Sequence, residues 1–324
     1  MKTLRSIQAL RGLAALSVAA FHAAQWSRLD FEIGAAGVDV FFVISGFIME
    51  AMAAERRLEP APFILRRATR VVPLYWTLTL FAFAIAYFWR GAIPRIIPDW
   101  GHLGLSLAFI PHLDPDGWPF PLIPPGWSLH YEALFYLTFA VALAVAPNTR
   151  LKFVATTLAV VCVLGAAFPP AYLVLANPML LEFVAGMALA RLWRAGGLPG
   201  QGASIALIAA AFALLAWQHF AVFVPGNWRP ITWGVPALMI VAGALGLEGS
   251  RLFRPQILQK LGDASYSIYL SHILIAPLVA KAIWPGLPWL FIPAMLLVAA
   301  GAGWLCHLWL ERPLIRLSRK LAKT

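Results

Sequence analysis

Charged residues are scarce in this chain, in which only 12% of the 324 residues are charged and 61% are hydrophobic. A soluble globular domain has about a quarter of its residues charged, so this composition excludes an ordinary soluble protein, and it excludes a disordered chain as well. Cysteine is also scarce, since there are two, Cys162 and Cys306, and both lie in apolar runs. This scarcity excludes a disulfide scaffold and a paired-cysteine metal site.

Apolar stretches of about twenty residues recur along the chain, and this is the length that a helix needs to cross a lipid bilayer. They predict an all-α bundle of ten membrane-spanning helices, in a single domain over residues 1–324. The predicted spans lie at roughly 7–26, 34–54, 71–89, 127–146, 151–168, 171–191, 203–224, 231–247, 265–284 and 289–310.

Basic residues are distributed unevenly between the two sides of this bundle. Ten spans place both termini on one side, and that side holds 20 of the 25 Lys and Arg residues, including those of a short basic tail from about residue 312. Because loops rich in Lys and Arg stay in the cytoplasm, we expect both termini to be cytoplasmic. This distribution accounts for the net charge of +11, so nucleic acid is not an expected partner.

The first span contains ionisable residues, which are costly in lipid unless they face the protein interior. At 100° per residue, Arg11 and His22 fall within about 20° of each other, and about 16 Å of helix rise separates them. They predict a polar seam that runs from the cytoplasmic edge to the outer half of the membrane. Helix geometry alone favours neither of two roles for His22, a functional one or hydrogen-bonded packing.

Two carboxylates lie near the outer ends of predicted spans. Asp39, at the start of the second span, either pairs with His22 and fixes the imidazole tautomer or caps its helix. Glu132, in the first two turns of the fourth span, either caps its helix, pairs with an arginine or receives an acceptor hydroxyl. Ser45 and Gly46, deeper in the second span, favour close contact with another helix.

Three arginines lie close together at the end of the predicted inner loop, which covers 55–70: Arg66, Arg67 and Arg70. On a helix they form a compact patch, and three guanidinium groups suit a multiply phosphorylated ligand. Contacts with lipid headgroups explain the same patch. Tyr75 and Trp76, which follow it, argue modestly for a ligand site.

The longest predicted outer loop is rich in proline and tryptophan. Its stiff backbone and flat aromatic faces suit a sugar ring, with Trp118 and Trp127 as candidates, although an interfacial aromatic belt explains the composition equally well. Ser128 and His130, which follow on the fourth span, are further candidates for binding an acceptor. The apolar piece at 103–110 is too short to span and is expected to be re-entrant or interfacial.

A second polar stripe lies on the ninth span, where Ser265, Tyr269 and His272 follow one another at i, i+4 and i+7. Hydrogen-bonded packing explains this stripe about as well as a ligand site does. After the tenth span, Glu311 and Pro313 combine a charge, a helix end and a stop signal, which favours a structural role.

These motifs occur in the order found in the acyltransferase 3 family of integral membrane acyltransferases, and the chain resembles the exopolysaccharide acetyltransferase type. The matching pieces are Leu10-Arg11-Gly12 with His22, Gly37-x-Asp39-x-Phe-Phe-x-x-Ser45-Gly46-Phe47, Arg66-Arg67-x-x-Arg70-x-x-Pro73-x-Tyr75-Trp76, Trp127-Ser-Leu-x-x-Glu132-x-x-Phe-Tyr136 and Ser265-Tyr-Ser-x-Tyr-Leu-x-His272. Each piece is weak alone, but five in order on a frame of ten spans make a specific match.

The resemblance implies transfer of an acetyl or similar acyl group from acyl-coenzyme A, bound from the cytoplasm, to a hydroxyl of a cell-surface or lipid-linked sugar in a bacterial inner membrane. It also implies that His22 is essential and that the arginine cluster takes part in donor binding. We expect the other donor-binding residues to be Arg11, Tyr75, Trp76, Ser265, Tyr269 and His272. No permanently bound cofactor and no metal is expected.

Coenzyme A has its phosphates at one end and its thioester at the end of a long arm, so we expect a single cavity from the arginines to His22. His22 then acts as a general base on the sugar hydroxyl, with Asp39 or Glu132 orienting it, or accepts the acyl group covalently. Because these residues and the tryptophan-rich loop are predicted toward the outside, we expect the sugar to enter from the periplasmic face. A transporter or flippase for a lipid-linked sugar is the alternative, although no inverted repeat supports it.

Overall fold

The structure, a computed structural model, describes residues 3–94, 96–167, 177–221 and 228–321. These residues form helices and loops without strands, which confirms the predicted all-α class. The α-helices of the described chain are α1 Arg5–Trp26, α2 Gly37–Glu55, α3 Pro60–Phe88, α4 Trp100–Leu107, α5 Trp127–Val145, α6 Arg150–Ala167, α7 Leu180–Arg194, α8 Gln201–Ala221, α9 Val235–Gly246, α10 Gln256–Asp263, α11 Ser265–Ala282, α12 Pro288–Cys306 and α13 Arg312–Leu321.

Each of the ten predicted spans overlaps a helix; 168 at the end of the fifth span, 171–176 at the start of the sixth and 222–224 at the end of the seventh lie outside the described residues. Six helices in the described ranges are long and apolar enough to cross a membrane: Arg5–Trp26, Glu32–Glu55, Pro60–Phe88, Pro124–Val145, Gln201–Phe220 and Pro288–Leu321. The other four predicted spans correspond to α6, α7, α9 and α11, and their crossing of the membrane stays a prediction.

The predicted inner loop at 55–70 is wrong over most of its length, because α3 already begins at Pro60. Proline suits the first position of a helix, since its ring fixes a helical φ and its missing N–H would have no partner there. The arginine cluster therefore occupies the first turns of a helix of 29 residues, longer than a membrane crossing requires. We call the end of the bundle that holds this cluster the inner end and the opposite end the outer end.

The helix end predicted around Glu311 and Pro313 is also wrong. From α12 the chain continues through a π-helical segment, His307–Glu311, directly into α13. A π-helical turn changes the backbone hydrogen-bond pattern, which lets a proline follow it without ending the helix. The Glu311 carboxylate is buried and is hydrogen-bonded by Ser267 Oγ at 2.7 Å and by His307 Nδ1 at 2.8 Å, so it ties this segment to α11.

The helices α2 and α7 pack with their backbones in direct contact. A Cβ atom at Gly46 would collide with the backbone of Phe183, and a Cβ atom at Gly186 would collide with the carbonyl oxygen of Val43. Small residues at such positions let membrane helices approach closely. This is the kind of contact that the Ser45-Gly46 pair favours, and it fixes the position of α2 at the centre of the bundle.

The short helix α4 descends from the outer end of the bundle alongside α3. Trp100 at its start packs on the ring of Phe83, with centroids 4.7 Å apart, whereas the carbonyl of Leu107 at its end accepts a hydrogen bond from Trp76 Nε1 at 2.8 Å. These two positions on α3 are about 10 Å apart along the helix axis. This path along α3 favours the re-entrant position over the interfacial one for the apolar piece at 103–110, and the carbonyl at the end of α4 is paired as backbone at membrane depth requires.

Near the inner end, α2 is joined to α6 and α7 by a buried carboxylate. Glu50 is hydrogen-bonded at 2.8 Å by the Nε atoms of both Arg150 and Arg191. A carboxylate so far from water needs such partners, since the loss of its pairing leaves an uncompensated charge.

Candidate active site

An inner cavity of about 300 Å³ lies between α1, α2, α3, α5 and α11. Arg11, Arg67 and Arg70 line it, and Glu132 is the acidic residue on its wall, so positive charge is in excess. Ser265 also lines it, with a buried hydroxyl that has no hydrogen-bond partner among the described residues. The cavity thus presents guanidinium groups and a hydroxyl to an anionic ligand.

The arginines of this cavity are held in place by neighbouring side chains. The Arg11 Nη1 donates to Gln8 Oε1 at 3.0 Å, so the start of α1 positions its guanidinium. The guanidinium of Arg67 lies over the ring of Tyr136, 5.9 Å from its centroid, and its Nε has no partner among the described residues. A buried N–H that lacks a protein acceptor is available to a ligand.

Glu132 lies in this inner cavity and not at the outer level that the sequence predicts. Its carboxylate accepts hydrogen bonds from Ser45 Oγ at 3.1 Å and from the hydroxyl of Tyr136 at 3.2 Å. The reason is that α5 begins at Trp127, so residue 132 lies about 7.5 Å further into the bundle. Glu132 therefore shares a cavity with arginines, and it lines a different cavity from His22.

A larger outer cavity, of about 600 Å³, lies on the other side of the bundle's centre. The aromatic residues on its wall include Phe21, Trp118, Phe120, Trp127, Trp233 and Tyr269, and its acidic residues are Glu32, Asp114 and Asp116. Two of these tryptophans, Trp118 and Trp127, are those that the sequence predicts for an acceptor. Flat rings with polar groups between them are a surface on which a sugar ring can bind.

His22 lines the outer cavity, where its Nδ1 lies 3.1 Å from Gln25 Oε1. We infer that Nδ1 carries the proton, because an amide oxygen can only accept, and the neutral ring then has Nε2 as its basic nitrogen. The ring stacks on that of His272, with centroids 5.1 Å apart. Gln25 thus provides the contact on Nδ1 that the sequence assigns to a carboxylate.

Asp39 is fully buried and forms an ion pair with Arg229. Its Oδ1 accepts from Arg229 Nε at 3.2 Å and its Oδ2 from Nη2 at 2.8 Å. Both sequence expectations for Asp39, pairing with His22 and capping of α2, are therefore wrong. The physical reason is that a permanently charged guanidinium compensates a buried carboxylate better than a neutral imidazole does.

Arg229 and Glu182 belong to the site, although neither lies in a motif of the sequence. Arg229 lines the outer cavity and its guanidinium lies over the rings of Trp233 and Trp127, 4.6 Å and 5.6 Å from their centroids. Glu182, in the first turn of α7, is buried beside Asp39. The signal was present, because Glu182 is an ionisable residue within an apolar span and Arg229 directly precedes another.

Tyr269 and Val38 line both cavities, so the two cavities meet at these side chains. The Tyr269 hydroxyl lies 2.9 Å from Ser128 Oγ and donates to the carbonyl of Pro125 at 2.9 Å. The arginines and His22 thus line two adjoining cavities, and the joining of these cavities into the single path expected from the sequence stays a prediction. The 3₁₀ turn at Pro124–Gly126 before α5 positions Tyr269 at the junction, because the carbonyl of Pro125 accepts its hydrogen bond.

Three residues expected to bind the donor lie on α3 but line neither cavity: Arg66, Tyr75 and Trp76. Arg66 is exposed, because it lies 100° around the helix from Arg67. Tyr75 and Trp76 donate hydrogen bonds to the carbonyls of Ser106 and Leu107, and so they hold the end of α4.

Two histidines from the predicted site are also away from both cavities. His130 is buried on α5, and neither ring nitrogen has a hydrogen-bond partner among the described residues. His272 is buried behind His22 and supports its ring by stacking. The polar stripe on α11 therefore passes beside the whole site: Ser265 at the inner cavity, Tyr269 between the cavities and His272 behind the outer one.

The site places guanidinium groups and an imidazole base in two adjoining cavities that share Tyr269 and Val38. These two elements suit a group-transfer reaction between an anionic activated donor and a hydroxyl acceptor. The sequence comparison gives the class of protein: the family model described as an acyltransferase domain matches residues 4–308. The chain belongs to this family, acyltransferase 3, and is a multi-pass membrane O-acyltransferase.

Several named proteins are similar to the chain over most of its length. The exopolysaccharide production protein ExoZ of Rhizobium meliloti is 40% identical over 314 residues, covering 92% of this chain and 95% of ExoZ. The acyltransferase MdmB of Streptomyces mycarofaciens is 28% identical, covering 97% and 92%. The peptidoglycan O-acetyltransferase OatA of Listeria monocytogenes is 25% identical, covering 87% of this chain and 51% of OatA. No solved structure matches significantly.

Proposed function

We propose that the protein transfers an acetyl group from acetyl-coenzyme A to a hydroxyl of a cell-surface polysaccharide or its lipid-linked precursor, in the bacterial plasma membrane. The observation that carries the proposal is the pair of adjoining cavities, one cationic and one lined by aromatic side chains and a histidine. The names of two relatives support the polysaccharide acceptor and the acetyl group: ExoZ is an exopolysaccharide production protein and OatA is a peptidoglycan O-acetyltransferase.

The donor binds in the inner cavity with its phosphates on Arg11, Arg67 and Arg70. Guanidinium groups bind phosphate oxygens in pairs, and a cavity with more positive than negative charge favours such an anion. A further cavity of about 410 Å³ at the inner end is lined by Gln8 and Arg56 and shares Ile48 and Met52 with the inner cavity. It is the way by which the donor enters from the cytoplasm.

The acceptor hydroxyl binds in the outer cavity, where His22 acts as a general base. Its Nε2 takes the hydroxyl proton while the sugar oxygen attacks the thioester carbon. The carbon–sulfur bond then breaks, and the sulfur takes a proton from the imidazolium to leave as the thiol of coenzyme A. The Tyr269 hydroxyl, at the junction of the cavities, gives up its hydrogen bond to the carbonyl of Pro125 and donates instead to the oxygen of the tetrahedral intermediate. An acyl-histidine intermediate leads to the same products.

The test is acceptor-dependent release of thiol from acetyl-coenzyme A by the purified protein, together with mass spectrometry of the sugar. We expect His22→Ala to lower the rate by about a hundredfold or more, the contribution of a general base. His219→Ala is the matched control, because this histidine is close to Asp30, at 3.8 Å, and lines neither cavity. Full activity of a folded His22→Ala protein would contradict the proposal, as would binding of sugar without any acetylation.

A further inference from the structure

The two cavities present opposite charge to their ligands. Among the described residues that line the inner cavity, three arginines face one carboxylate, Glu132. Among those that line the outer cavity, one arginine, Arg229, faces the carboxylates of Glu32, Asp114 and Asp116. An arginine in a sugar site ordinarily points to an anionic sugar, so the state of Arg229 decides what this cavity accepts.

The charge of Arg229 is already compensated within the protein. Asp39 binds it through both carboxylate oxygens, and the carbonyl of Ala35 accepts from Nη2 at 3.2 Å. Glu182 lies beside this pair as a second carboxylate. Arg229 therefore offers N–H donors and a stacked guanidinium plane to the cavity, but no net positive charge.

The carboxylates of Glu32, Asp114 and Asp116 form no such ion pair with any residue that the structure describes. The backbone N–H groups of Asp116 and Trp118 donate to Asp114 Oδ1 at 3.0 Å and 2.8 Å, which fixes this carboxylate beside the tryptophan. Carboxylates fixed next to an aromatic ring accept hydrogen bonds from sugar hydroxyls. They also repel a second anion that approaches the opening of the cavity, and this repulsion acts against an anionic acceptor.

We infer that the outer cavity selects a neutral sugar and rejects an acceptor with a carboxylate or phosphate near the acylated hydroxyl. This inference rests on the proposed function and restricts its acceptor to neutral sugars. The charge of the two cavities then separates the substrates, because the inner cavity binds the anionic donor and the outer cavity binds the neutral sugar.

The experiment compares two forms of one acceptor. Oligosaccharide from the surface polysaccharide of cells that lack this protein is used with its carboxyl groups reduced, and again after oxidation of its primary hydroxyls to carboxylates. We expect kcat/KM for acetylation to be about tenfold or more higher for the neutral form, because misplaced like charges are strongly disfavoured. Added salt should reduce the ratio, since it screens the carboxylates at the opening of the cavity.

Single substitutions test which carboxylates cause the preference for the neutral acceptor. Asp116→Asn and Glu32→Gln each remove one negative charge from the outer cavity, and each should lower the neutral-to-anionic ratio several-fold. Glu59→Gln removes an exposed carboxylate from the inner end, before α3, and should leave the ratio unchanged. Equal use of both acceptors by the unaltered protein, or preference for the oxidised form, overturns the inference alone. Acetylation of neither form overturns the proposed function on which it rests.

Discussion

Adjacent arginines on α3 have different environments, although they are chemically identical. Arg67 lines the inner cavity with a buried Nε, whereas Arg66 is exposed. We expect Arg67→Gln to raise KM for acetyl-coenzyme A by about tenfold or more, because a hydrogen bond to a charged group contributes about 1.5–3 kcal/mol. The matched variant Arg66→Gln should leave KM within about twofold. Steady-state thiol release at varied donor concentration measures both, and equal effects would indicate a role in lipid contact instead.

The hydroxyl of Tyr269 is the polar group placed where the two cavities meet. Tyr269→Phe keeps the ring and removes the hydroxyl, so we expect kcat to fall about tenfold or more with little change in either KM, as for loss of an oxyanion donor. Tyr75→Phe is the control, because its hydroxyl binds the carbonyl of Ser106 away from both cavities. A rise in KM at constant kcat for Tyr269→Phe would show that the hydroxyl only binds substrate.

The sequence predicts single residues well where one helix determines their position. Arg11 and His22 share a face of α1 by helical periodicity, and both line the site. The partner of Asp39 could not be predicted in this way. Arg229 lies 190 residues away along the chain, and only the packing of α2 against the segment before α9 brings the two together.

At the scale of helices, the contact between α2 and α7 depends on the absence of side chains. We expect Gly186→Ala to destabilise the protein by about 1–3 kcal/mol, because its Cβ would meet the carbonyl of Val43. Gly301→Ala on α12 is the matched control, since nothing lies within 4 Å of a Cβ there. It should be neutral or slightly stabilising, because alanine favours helix over glycine. Thermal unfolding in detergent compares the two, and equal midpoints would contradict the close contact.

We expect the short helix α4 to become less stable in acid. Its His102 Nδ1 lies 2.7 Å from His112 Nε2, and burial together with the neighbouring His112 lowers the pKa of His102. Because this pKa lies below the unfolded value of about 6.5, the stability it contributes is complete above that pH and is lost as the pH falls toward the folded pKa. We expect hydrogen-exchange protection of α4, corrected for intrinsic rates, to decline between about pH 7 and pH 5.

The control for this effect is His102→Gln, which removes the titrating group and should make the protection of α4 independent of pH. Protection that does not change with pH in the unaltered protein would contradict the prediction.

The existence of the helices was predictable from hydropathy, but their ends were less so. Hydropathy places the start of α3 too late, because the residues from Pro60 to Arg70 are predicted as an inner loop, although they form helix. The same bias ended the last span before α13. In both places a helix longer than the membrane is thick projects charged turns beyond the apolar region, and hydropathy alone cannot follow it there.

For the whole molecule, we expect the donor and the acceptor to be used from opposite sides of the membrane. In sealed vesicles of known orientation, acetyl-coenzyme A on the inner-end side should acetylate sugar on the outer-end side, because the two cavities adjoin and face opposite ends of the bundle. Vesicles permeabilised with detergent provide the control for total activity. Acetylation that requires both substrates on one side would contradict this arrangement.

The sequence predicts which residue types the site needs, but not how the helices divide it. The motifs come from α1, α2, α3, α5 and α11, and the pattern within one helix does not predict where two helices contact each other. The position of Tyr269 at the junction of the two cavities and the place of Glu132 in the inner one both follow from the depth at which α5 begins after its 3₁₀ turn.

The junction at Val38 and Tyr269 has a consequence for the energy supply of the cell. A wide water-filled passage through the bundle would conduct protons and discharge the gradient that drives synthesis of ATP. A phenol ring and an aliphatic side chain line both cavities where they adjoin, and we expect them to limit this leak of protons while the thioester reaches His22.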